Sequence, residues 1–514
     1  MSRRSKRSKV VVSPPTSPTP PVTAAFPAQT SCLNNPDLLG TILRHLDDAE
    51  NPRANRGSLH AVALTCSALS PSAVKILWER IDNFLPLLRL LPTFQYNDDI
   101  HQYELGGIVA DSDWEVLERR AANVREVCYV NRSTRQIHPV AYLRLATRKQ
   151  PLLANLQRLD LSSSYCPDAE MLLCLSPSIT SLKLACTASS TSQTFLELLA
   201  ADAPYLLHLS LSGARKMPAT DHLFRNLKTM VWTDMNQPVT SAALLQIGSI
   251  PQLHFLKTDV ENWDKAVFES IAHASIFWAL TKLEISAKMR LHTVVPAFLL
   301  RIGSPNLQSI SMTTRYHDYD RLDNTDCTAA FTTVAECLVS RWAASLTHFE
   351  LCGMPTSFEH LPSLNGLGRL RTLTLDCNLR GALSDERMLA LVATWPSLET
   401  LTLASGGADI AFLQALAAHC PALQTLRVPC VPDEIPDLPD TPVRAHALRE
   451  LRFAALEPVS YKWRQVDVHL LARHIDRLFP QVASIGGEGY QNRWREVEKL
   501  VKMCQDVRRI GWEH

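Results

Sequence analysis

The sequence lacks the features that mark several large classes of protein. Its charges balance almost completely, with 52 Lys and Arg against 51 Asp and Glu, so no net field draws the chain to nucleic acid or to an acidic membrane. Charges interrupt every apolar stretch well before the about 18 residues that a membrane span requires, and the first residues lack the apolar core of a secretory signal. The composition therefore predicts a cytoplasmic and/or nuclear protein that binds neither nucleic acid nor membrane.

The motifs of the common catalytic and metal-binding classes are absent as well. The 13 cysteines are scattered with no Cys-x-x-Cys pair, which predicts buried thiols in a reducing compartment. No Gly-x-x-x-x-Gly-Lys, His-Glu-x-x-His or Gly-x-Ser-x-Gly sequence occurs, and the 17 histidines are dispersed. Gly486, Gly487 and Gly489 lack the rest of a dinucleotide signature and indicate turns. We expect no metal, no cofactor and no catalytic residue, so the chain is predicted not to be an enzyme.

What the sequence has in abundance is one six-residue phrase, apolar-x-x-apolar-x-apolar, which recurs about fifteen times from residue 124 onward. Apolar residues make up 46% of the chain, so a single match arises by chance at about one position in ten. The spacing is more informative, because eleven of the fourteen gaps between phrases lie between 21 and 28 residues. The phrases begin at Val124, Leu156, Ile179, Leu206, Leu227, Leu253, Leu280, Leu307, Leu346, Leu370, Leu398, Leu423, Leu448, Val482 and Val507.

Proline and helical spacing complete each repeat. Proline lacks an amide donor and pushes the preceding residue out of the helical region, so it ends a helix and starts a strand. It stands two residues before the phrase at Pro177, Pro204, Pro251, Pro305, Pro396, Pro421 and Pro480. Between phrases the apolar residues follow helical spacing, as in Phe412, Leu413 and Leu416. Each repeat is therefore predicted to be a strand, a turn, a helix and a return, stacked on the next repeat.

This pattern resembles the leucine-rich-repeat family over residues 121–514. The resemblance implies an α/β solenoid in the form of a horseshoe, with parallel strands on its concave face. Asn378 occupies a position where the family often has asparagine, whereas Cys186 and Cys430 stand one residue early, so the inner asparagine ladder is interrupted. The alternative is an ordinary α/β domain with leucine-rich strands, which would not keep register across fourteen gaps.

Residues 1–30 differ in kind from the repeats. A basic cluster from Arg3 to Lys9 is followed by Ser-Pro and Thr-Pro pairs, and such a segment cannot bury enough apolar surface to order itself. The cluster is consistent with a nuclear import signal and the Ser/Thr-Pro pairs with phosphorylation sites. A solvated tail is the alternative.

Residues 31–82 contain three short apolar segments that predict helices. The first follows Asn35-Pro36-Asp37, the second follows a polar stretch from Asp47 to Ser58, and the third follows Pro71. Three short helices form a marginal core, so part of their apolar surface is predicted to need a partner or the repeats. Residues 83–120 are predicted to be a helical linker and cap that joins this module rigidly to the repeats.

The module resembles an F-box, with its Leu-Leu-x-x-Ile-Leu-x-x-Leu, Ala-Leu-x-Cys-x-x-Leu and Leu-Trp-Glu-Arg sequences. An F-box followed by leucine-rich repeats is the arrangement of F-box substrate receptors of the fungal type. In that family the F-box docks a Skp-type adaptor and, through it, a cullin-based ubiquitin ligase. The chain departs from the family in having Asn35-Pro36 for Leu-Pro and a longer stretch at 47–58. The adaptor-binding residues that the resemblance implies are Pro36, Leu38, Leu39, Ile42, Leu46, Leu59, Leu64, Leu69 and Trp78.

Two other interpretations of the module remain open. It could be a helical cap that only shields the first repeat. The whole chain could also be a leucine-rich-repeat scaffold or inhibitor that acts without a ligase.

The repeats offer a surface of a size that suits a folded protein or a long peptide. Strands stack at about 4.8 Å, so fifteen of them give an inner arc of about 65 Å. The x positions of each phrase are predicted to face the concave side, and a mild basic excess there favours an acidic or phosphorylated partner, although an ordinary solvated face is equally expected. The basic and histidine positions are Arg158, Lys183, His208, Lys228, Lys257, Lys282, His348, Arg371, Arg427, Arg449 and Arg452. Insertions at 313–340 and 430–443 are predicted to be partner-contacting loops or disordered spacers.

Overall fold

The computed structural model describes most of the chain from residue 35 to residue 512. The described residues are 35–46, 52–129, 136–148, 151–162, 166, 168–185, 190–213, 225–234, 238–271, 275–287, 291–314, 324–353, 356–376, 379–380, 386–406, 408–429, 435, 446–454, 467–488 and 491–512. The basic segment at 1–30, the first part of the insertion at 313–340 and nearly all of the insertion at 430–443 lie outside these residues.

The chain divides into two compact units, Met1–Arg80 and Ile81–His514. The helices are α1 Pro36–Arg44, α2 Pro52–Thr65, α3 Ser70–Glu79, α4 Leu85–Leu88, α5 Asp111–Ala121, α6 Pro139–Ala146, α7 Asp168–Leu173, α8 Ser190–Asp202, α9 Ser241–Gly248, α10 Lys265–Ser270, α11 Leu291–Leu299, α12 Asn324–Trp342, α13 Glu386–Val392, α14 Ile410–His419, α15 Val468–Leu478 and α16 Gln491–Trp512, with a 3-10 helix at Phe358–Leu364. The strands are β1 Arg80–Ile81, β2 Phe94–Asn97, β3 Gln102–Leu105, β4 Glu126–Cys128, β5 Gln136–Ile137, β6 Arg158–Leu161, β7 Ser181–Ala185, β8 His208–Ser212, β9 Thr229–Thr233, β10 Phe255–Asp259, β11 Lys282–Ala287, β12 Ser309–Thr314, β13 His348–Cys352, β14 Thr356–Ser357, β15 Thr372–Asp376, β16 Leu379–Arg380, β17 Thr400–Leu403, β18 Thr425–Pro429, β19 Glu450–Ala454 and β20 Ser484–Gly487.

The first unit is a three-helix module built from α1, α2 and α3. Helix α1 begins where the sequence signals it, because the side-chain oxygen of Asn35 accepts hydrogen bonds from the amides of Asp37 and Leu38 at 3.0 and 3.2 Å. The core of the module is a cluster of buried side chains contributed by all three helices, namely Leu43, Leu59, Ala73 and Ile76. Helix α2 begins at Pro52, so the prediction of a polar connection as far as Ser58 is wrong. Proline suits the first turn of a helix, and it starts α2 seven residues before its first buried leucine.

The second unit is a solenoid built on a 15-stranded sheet. The strands follow the order β1-β4-β6-β7-β8-β9-β10-β11-β12-β13-β15-β17-β18-β19-β20, so each sheet neighbour is also the next repeat along the chain. The pairs from β4 to β20 are parallel. An ordinary doubly wound α/β domain would place sequence-distant strands side by side. The strand order therefore confirms the predicted leucine-rich-repeat solenoid.

The phrases predict the strands with a constant offset. Each of the first fourteen phrases is followed, two residues after its first apolar position, by a strand of the sheet. The repeat predicted from the fifteenth phrase is wrong, because Val507 lies in α16 and is 70% exposed. That helix instead buries Trp494, Val497 and Val501, which follow helical spacing. The remaining strand of the sheet is the two-residue β1 at its other end.

One backbone hydrogen-bond pattern recurs at every junction from β4 to β20. The residue just before each strand and the first residue of that strand both donate their amides to the same carbonyl of the preceding repeat. For example, the amides of Glu399 and Thr400 both reach the carbonyl oxygen of Arg371 at 2.8 Å. This shared acceptor fixes the register of each strand on its neighbour, so the core-facing leucines stack in rows.

Helices cover the other side of the sheet, where capping residues and prolines set their ends. Side chains of Thr240, Asp264, Asp409 and Asp467 accept hydrogen bonds from the first amides of α9, α10, α14 and α15. Each of the seven prolines singled out in the sequence lies between the end of a helix and the next strand, which confirms their predicted role.

Three segments differ from the sequence-based expectations. Residues 324–340 of the first insertion belong to the long helix α12, which buries Phe331, Leu338 and Trp342 against the solenoid, so this part is neither a loop nor a spacer. The linker contains an antiparallel hairpin, β2–β3, that we did not predict. Gly486 and Gly487 lie in strand β20 rather than in a turn. Position 487 requires glycine, because a Cβ there would overlap the ring of Trp494.

Candidate interaction surfaces

Helix α1 of the module has two apolar faces, and the module itself uses only one of them. Leu39 and Leu43 are buried. Leu38 and Ile42, four residues apart on one side of the helix, are 50% and 52% exposed, and Leu46, two residues after the end of the helix, is 39% exposed. Leu64 of α2 is 75% exposed. Exposed leucine and isoleucine at helical spacing indicate a surface that is completed by a partner.

The structure thus divides the residues predicted to bind an adaptor. Four of them, Leu38, Ile42, Leu46 and Leu64, are exposed, whereas Leu39 and Leu59 are in the core of the module. Leu69 and Trp78 are half-buried, and the side chain of Pro36 lies outside the described part. The sequence places all of these residues in or beside apolar segments that predict helices. It does not say which face packs inward, since that depends on α2 and α3.

The second surface is the strand face, defined as the solvent-facing side of the 15-stranded sheet. The predicted partner-binding residues that lie within strands of this face are Arg158, Lys183, His208, Lys257, Lys282, His348, Arg427 and Arg452, all exposed or half-buried. Lys228, Arg371 and Arg449 stand one residue before β9, β15 and β19, at the amino-terminal edge of the sheet. The structure therefore places the set along three rows. One row lies just before the strands, one lies at their first residues (Arg158, His208, Lys282 and His348), and one lies at their third residues (Lys183, Lys257, Arg427 and Arg452).

Most of these cations form ion pairs with acidic residues of the same surface. The pairs are Arg158 with Glu126, Lys183 with Asp160, Lys257 and Lys282 with Glu284, Arg371 with Glu399, Arg427 with Glu488, and Arg452 with Glu450, at 2.5–3.4 Å. The basic excess inferred from the sequence is thus largely balanced on the folded surface. Because exposed ion pairs contribute only about 0–1 kcal/mol, a partner can replace them at little cost.

On β15, β17 and β18 the strand face is lined by small hydroxyl side chains, which we call the hydroxyl floor. Thr372, Thr400 and Thr425 are register partners on β15, β17 and β18, and Thr374 pairs with Thr402 beside them. All five are half-buried, and their short side chains keep this part of the surface flat. A flat polar floor allows a partner backbone to approach the sheet closely.

Beside this floor, Cys352 is held in its thiol form. Its Sγ donates to Oε1 of Glu350 at 3.6 Å. Burial, together with the negative charges of Glu350 and Asp376, raises the pKa of Cys352 to about 12. A thiol with so high a pKa is a poor nucleophile at neutral pH.

A buried carboxyl group links elements of the first repeats through hydrogen bonds. Glu170 of α7 is 3% exposed and accepts hydrogen bonds from the hydroxyls of Tyr129 and Tyr142. Burial raises the pKa of Glu170, although the two tyrosines and the amide of Phe84 act in the opposite direction. The cluster ties α6 and α7 to the chain after β4, and its tyrosines were not singled out in the sequence because they carry no motif.

Neither a metal-binding group nor a membrane span is found in the part of the chain that the structure describes. No group of three or more His, Cys, Asp or Glu residues there could hold a metal ion. No described helix is both long enough and apolar enough to cross a membrane.

Comparisons with known proteins find similarity to solved structures only. No protein-family model matches the chain, and no curated protein matches it. An internalin from Listeria monocytogenes is 12% identical with a TM-score of 0.34, the match covering 60% of this chain and 82% of that one. TLR13, in a complex with single-stranded RNA, is 15% identical with a TM-score of 0.39, covering 65% of this chain and 44% of that one. Mouse RP105, in its complex with MD-1, is 14% identical with a TM-score of 0.31, covering 66% and 63%. At such TM-scores the likeness carries no argument, and the fold assignment rests on the strand order.

Proposed function

We propose that the chain is the non-catalytic target-recognition subunit of a cullin-type ubiquitin ligase, in which the module binds a Skp-type adaptor and the strand face binds the target protein. The observation that carries the proposal is the exposed apolar row formed by Leu38 and Ile42 of α1 and by Leu46 just after it. Its position in a segment that resembles an F-box, ahead of a leucine-rich-repeat solenoid, supports an adaptor as the partner. Ubiquitin transfer would be carried out by other subunits, in the cytoplasm or the nucleus.

The test of the adaptor role is co-purification of the full chain with a Skp-type adaptor. Ile42→Asp introduces a charge into the exposed row, so we expect binding to fall by at least about 100-fold, because an unpaired charge would be buried at the interface. The circular dichroism spectrum should not change, since Ile42 is outside the core of the module. Ile108→Asp is the matched control, because Ile108 is 95% exposed and lies in the other unit. Wild-type chain that fails to bind the adaptor in mild salt contradicts the proposal.

The target-binding role of the strand face can be tested without knowing the target in advance. A photo-crosslinking amino acid at Thr374 lies on the hydroxyl floor, whereas the same group at Leu300, which is 53% exposed, lies after a helix on the other side of the solenoid. We expect cross-links to a discrete protein from Thr374 and none from Leu300. Equal cross-linking from the two positions contradicts a dedicated strand-face site.

A second candidate function is a repeat scaffold or inhibitor that acts without a ligase. Burial of Leu39 and Leu59 favours it, because these residues serve the core of the module and leave a smaller surface for an adaptor than the resemblance implies. Deletion of residues 31–82 separates the two candidates. A ligase receptor predicts that bound targets then accumulate in cells, whereas a scaffold predicts unchanged target abundance.

A further inference from the structure

A cavity of about 740 Å³ opens on the helical side of the solenoid, between the first helices that cover the sheet. One wall is formed by Tyr142, Leu143 and Ala146 of α6, and the opposite wall includes Leu172 and Leu173 of α7. Small-molecule sites in proteins typically measure about 300–1,000 Å³. The cavity is therefore large enough for a ligand, and it lies on the helical side of the sheet, opposite the strand face.

The walls and rim of the cavity are apolar. Leu143 and Leu172 line it and are 65% and 38% exposed, so large aliphatic side chains face water at its mouth. The hydroxyl of Tyr142 donates a hydrogen bond to Glu170 inside the protein, so the ring of Tyr142, rather than its hydroxyl, lines the cavity. A hydrocarbon chain in this space would remove these surfaces from water, at about 25 cal/mol per Å² of apolar area.

One charged residue is found among the described residues that line the cavity. Asp202 is the last residue of α8, a helix of 13 residues. The carboxyl-terminal end of a helix carries a partial negative charge, so an aspartate there is unfavourable unless a cation balances it. Asp202 is exposed, and its carboxylate and the helix end create a negative potential at one side of a space that the described residues otherwise line with apolar side chains and Ser176.

We infer that this cavity binds an amphiphile with one apolar chain and one cationic group, with the chain between α6 and α7 and the cation beside Asp202. The negative charge of Asp202 favours the cationic group, and the apolar walls favour the hydrocarbon part of the amphiphile. The inference does not depend on the proposed ligase role.

The direct test is isothermal titration calorimetry of the full chain with three probes that share one chain length: decylamine, 1-decanol and decanoate, each below its aggregation concentration. We expect one site per chain, with decylamine bound about threefold to tenfold more tightly than 1-decanol, and decanoate more weakly than either. No binding of decylamine, or equal affinities for decylamine and decanoate, overturns the inference.

Variants locate the site. Ala146→Trp fills the space beside α6 and should abolish binding of decylamine and 1-decanol alike, whereas Leu300→Trp, at an exposed position outside the cavity, should change neither. Asp202→Asn should remove the preference for the amine without weakening 1-decanol. It should also leave the melting temperature equal or higher, because the unfavourable charge at the helix end is removed.

Two further measurements address the cases in which Ala146→Trp fails to fold or the cavity is covered by a second copy of the chain. Leu143→Arg places a cation on the exposed rim, so it should weaken decylamine more than 1-decanol even if Ala146→Trp fails to fold. Sedimentation velocity tests the rival occupant: a dimer that Ala146→Trp dissociates would assign the cavity to a second copy of the chain and overturn the inference.

Discussion

The module and the solenoid contain similar apolar side chains but bury them to different extents. In the solenoid the first apolar positions of successive repeats, such as Leu370, Leu398 and Leu423, have no exposed surface. In the module, Ile42 and Leu64 are more than half exposed. The difference follows from architecture, because each inner repeat is covered by a neighbour on both sides, whereas three short helices have no such neighbours. A stack of repeats can therefore complete its own core, whereas the small module leaves apolar surface exposed, as the proposed adaptor site requires.

The largest expected effect is at a core position of the solenoid. If shortening a side chain there cost little stability, the contrast between the solenoid and the module would not hold. Leu373 is completely buried and lies between Phe349 and Leu401 in the sheet. Leu373→Ala should lower the free energy of unfolding by about 2–5 kcal/mol, because it removes apolar contacts and leaves a cavity between packed repeats. Urea unfolding followed by circular dichroism measures the loss. Thr374→Ala, one residue away on the strand face, is the control and should stay within about 0.5 kcal/mol of wild type. Equal losses at the two positions would mean that the two faces of the sheet are not distinguished as described.

The second prediction compares helix caps in the two units. Asn35→Ala removes the side-chain acceptor of α1 and should cost about 1 kcal/mol of helix stability. Asp409→Ala removes the matched acceptor of α14, which receives the amide of Phe412 at 2.9 Å. Helix α1 has only nine residues, so we expect its amides to lose most of their hydrogen-exchange protection. Helix α14 buries most of one side against the solenoid and should keep its protection beyond the first turn.

Equal loss of protection in α1 and α14 would contradict this picture. It would show that packing stabilises the small module as firmly as it stabilises the solenoid.

The same contrast explains which elements of the fold could be predicted from the sequence. Strand positions follow from a periodic pattern that every repeat reinforces, so the phrases locate fourteen strands to the residue. The phrase at Val507 has the right composition, but Trp494 and Val501 direct the segment into a helix that packs on α15 and β20. Phe94 and Tyr96 alternate as strand residues do, and so do Tyr103 and Leu105, so these residues could have revealed the β2–β3 hairpin.

Surfaces were less predictable than strands, since they depend on which residues meet. The sequence identifies Lys257 and Glu284 as residues of the strand face. It cannot show that they are paired, because 27 positions separate them in the chain. The cavity between α6 and α7 has no sequence signal at all, since its lining residues, such as Ala146, Leu173 and Asp202, come from three separate helices. Periodicity thus predicts the scaffold, and only the fold reveals the sites.

The smallest expected effect concerns the ion pairs of the strand face. Glu284 lies between Lys257 and Lys282, with Nζ–Oε distances of 2.9 and 2.8 Å. Burial alone would raise the pKa of Glu284, but the hydrogen bonds and charges of the two lysines outweigh it and lower that pKa. A lowered pKa in the folded state means that the stabilisation is present above the ordinary pKa of glutamate and is lost as the pH falls through the lowered value.

Glu284→Gln should therefore cost about 0.2–1 kcal/mol near pH 7, and the difference from wild type should shrink as the medium is acidified. Urea unfolding at a series of pH values measures it. Glu269→Gln is the control, because Glu269 pairs with Lys265 at 3.6 Å with both side chains 64% exposed, and solvent should screen that pair more strongly. A loss at Glu284 that persists unchanged at low pH would show that packing, rather than charge, stabilises this part of the strand face, and a partner could then not replace its ion pairs without disturbing the sheet.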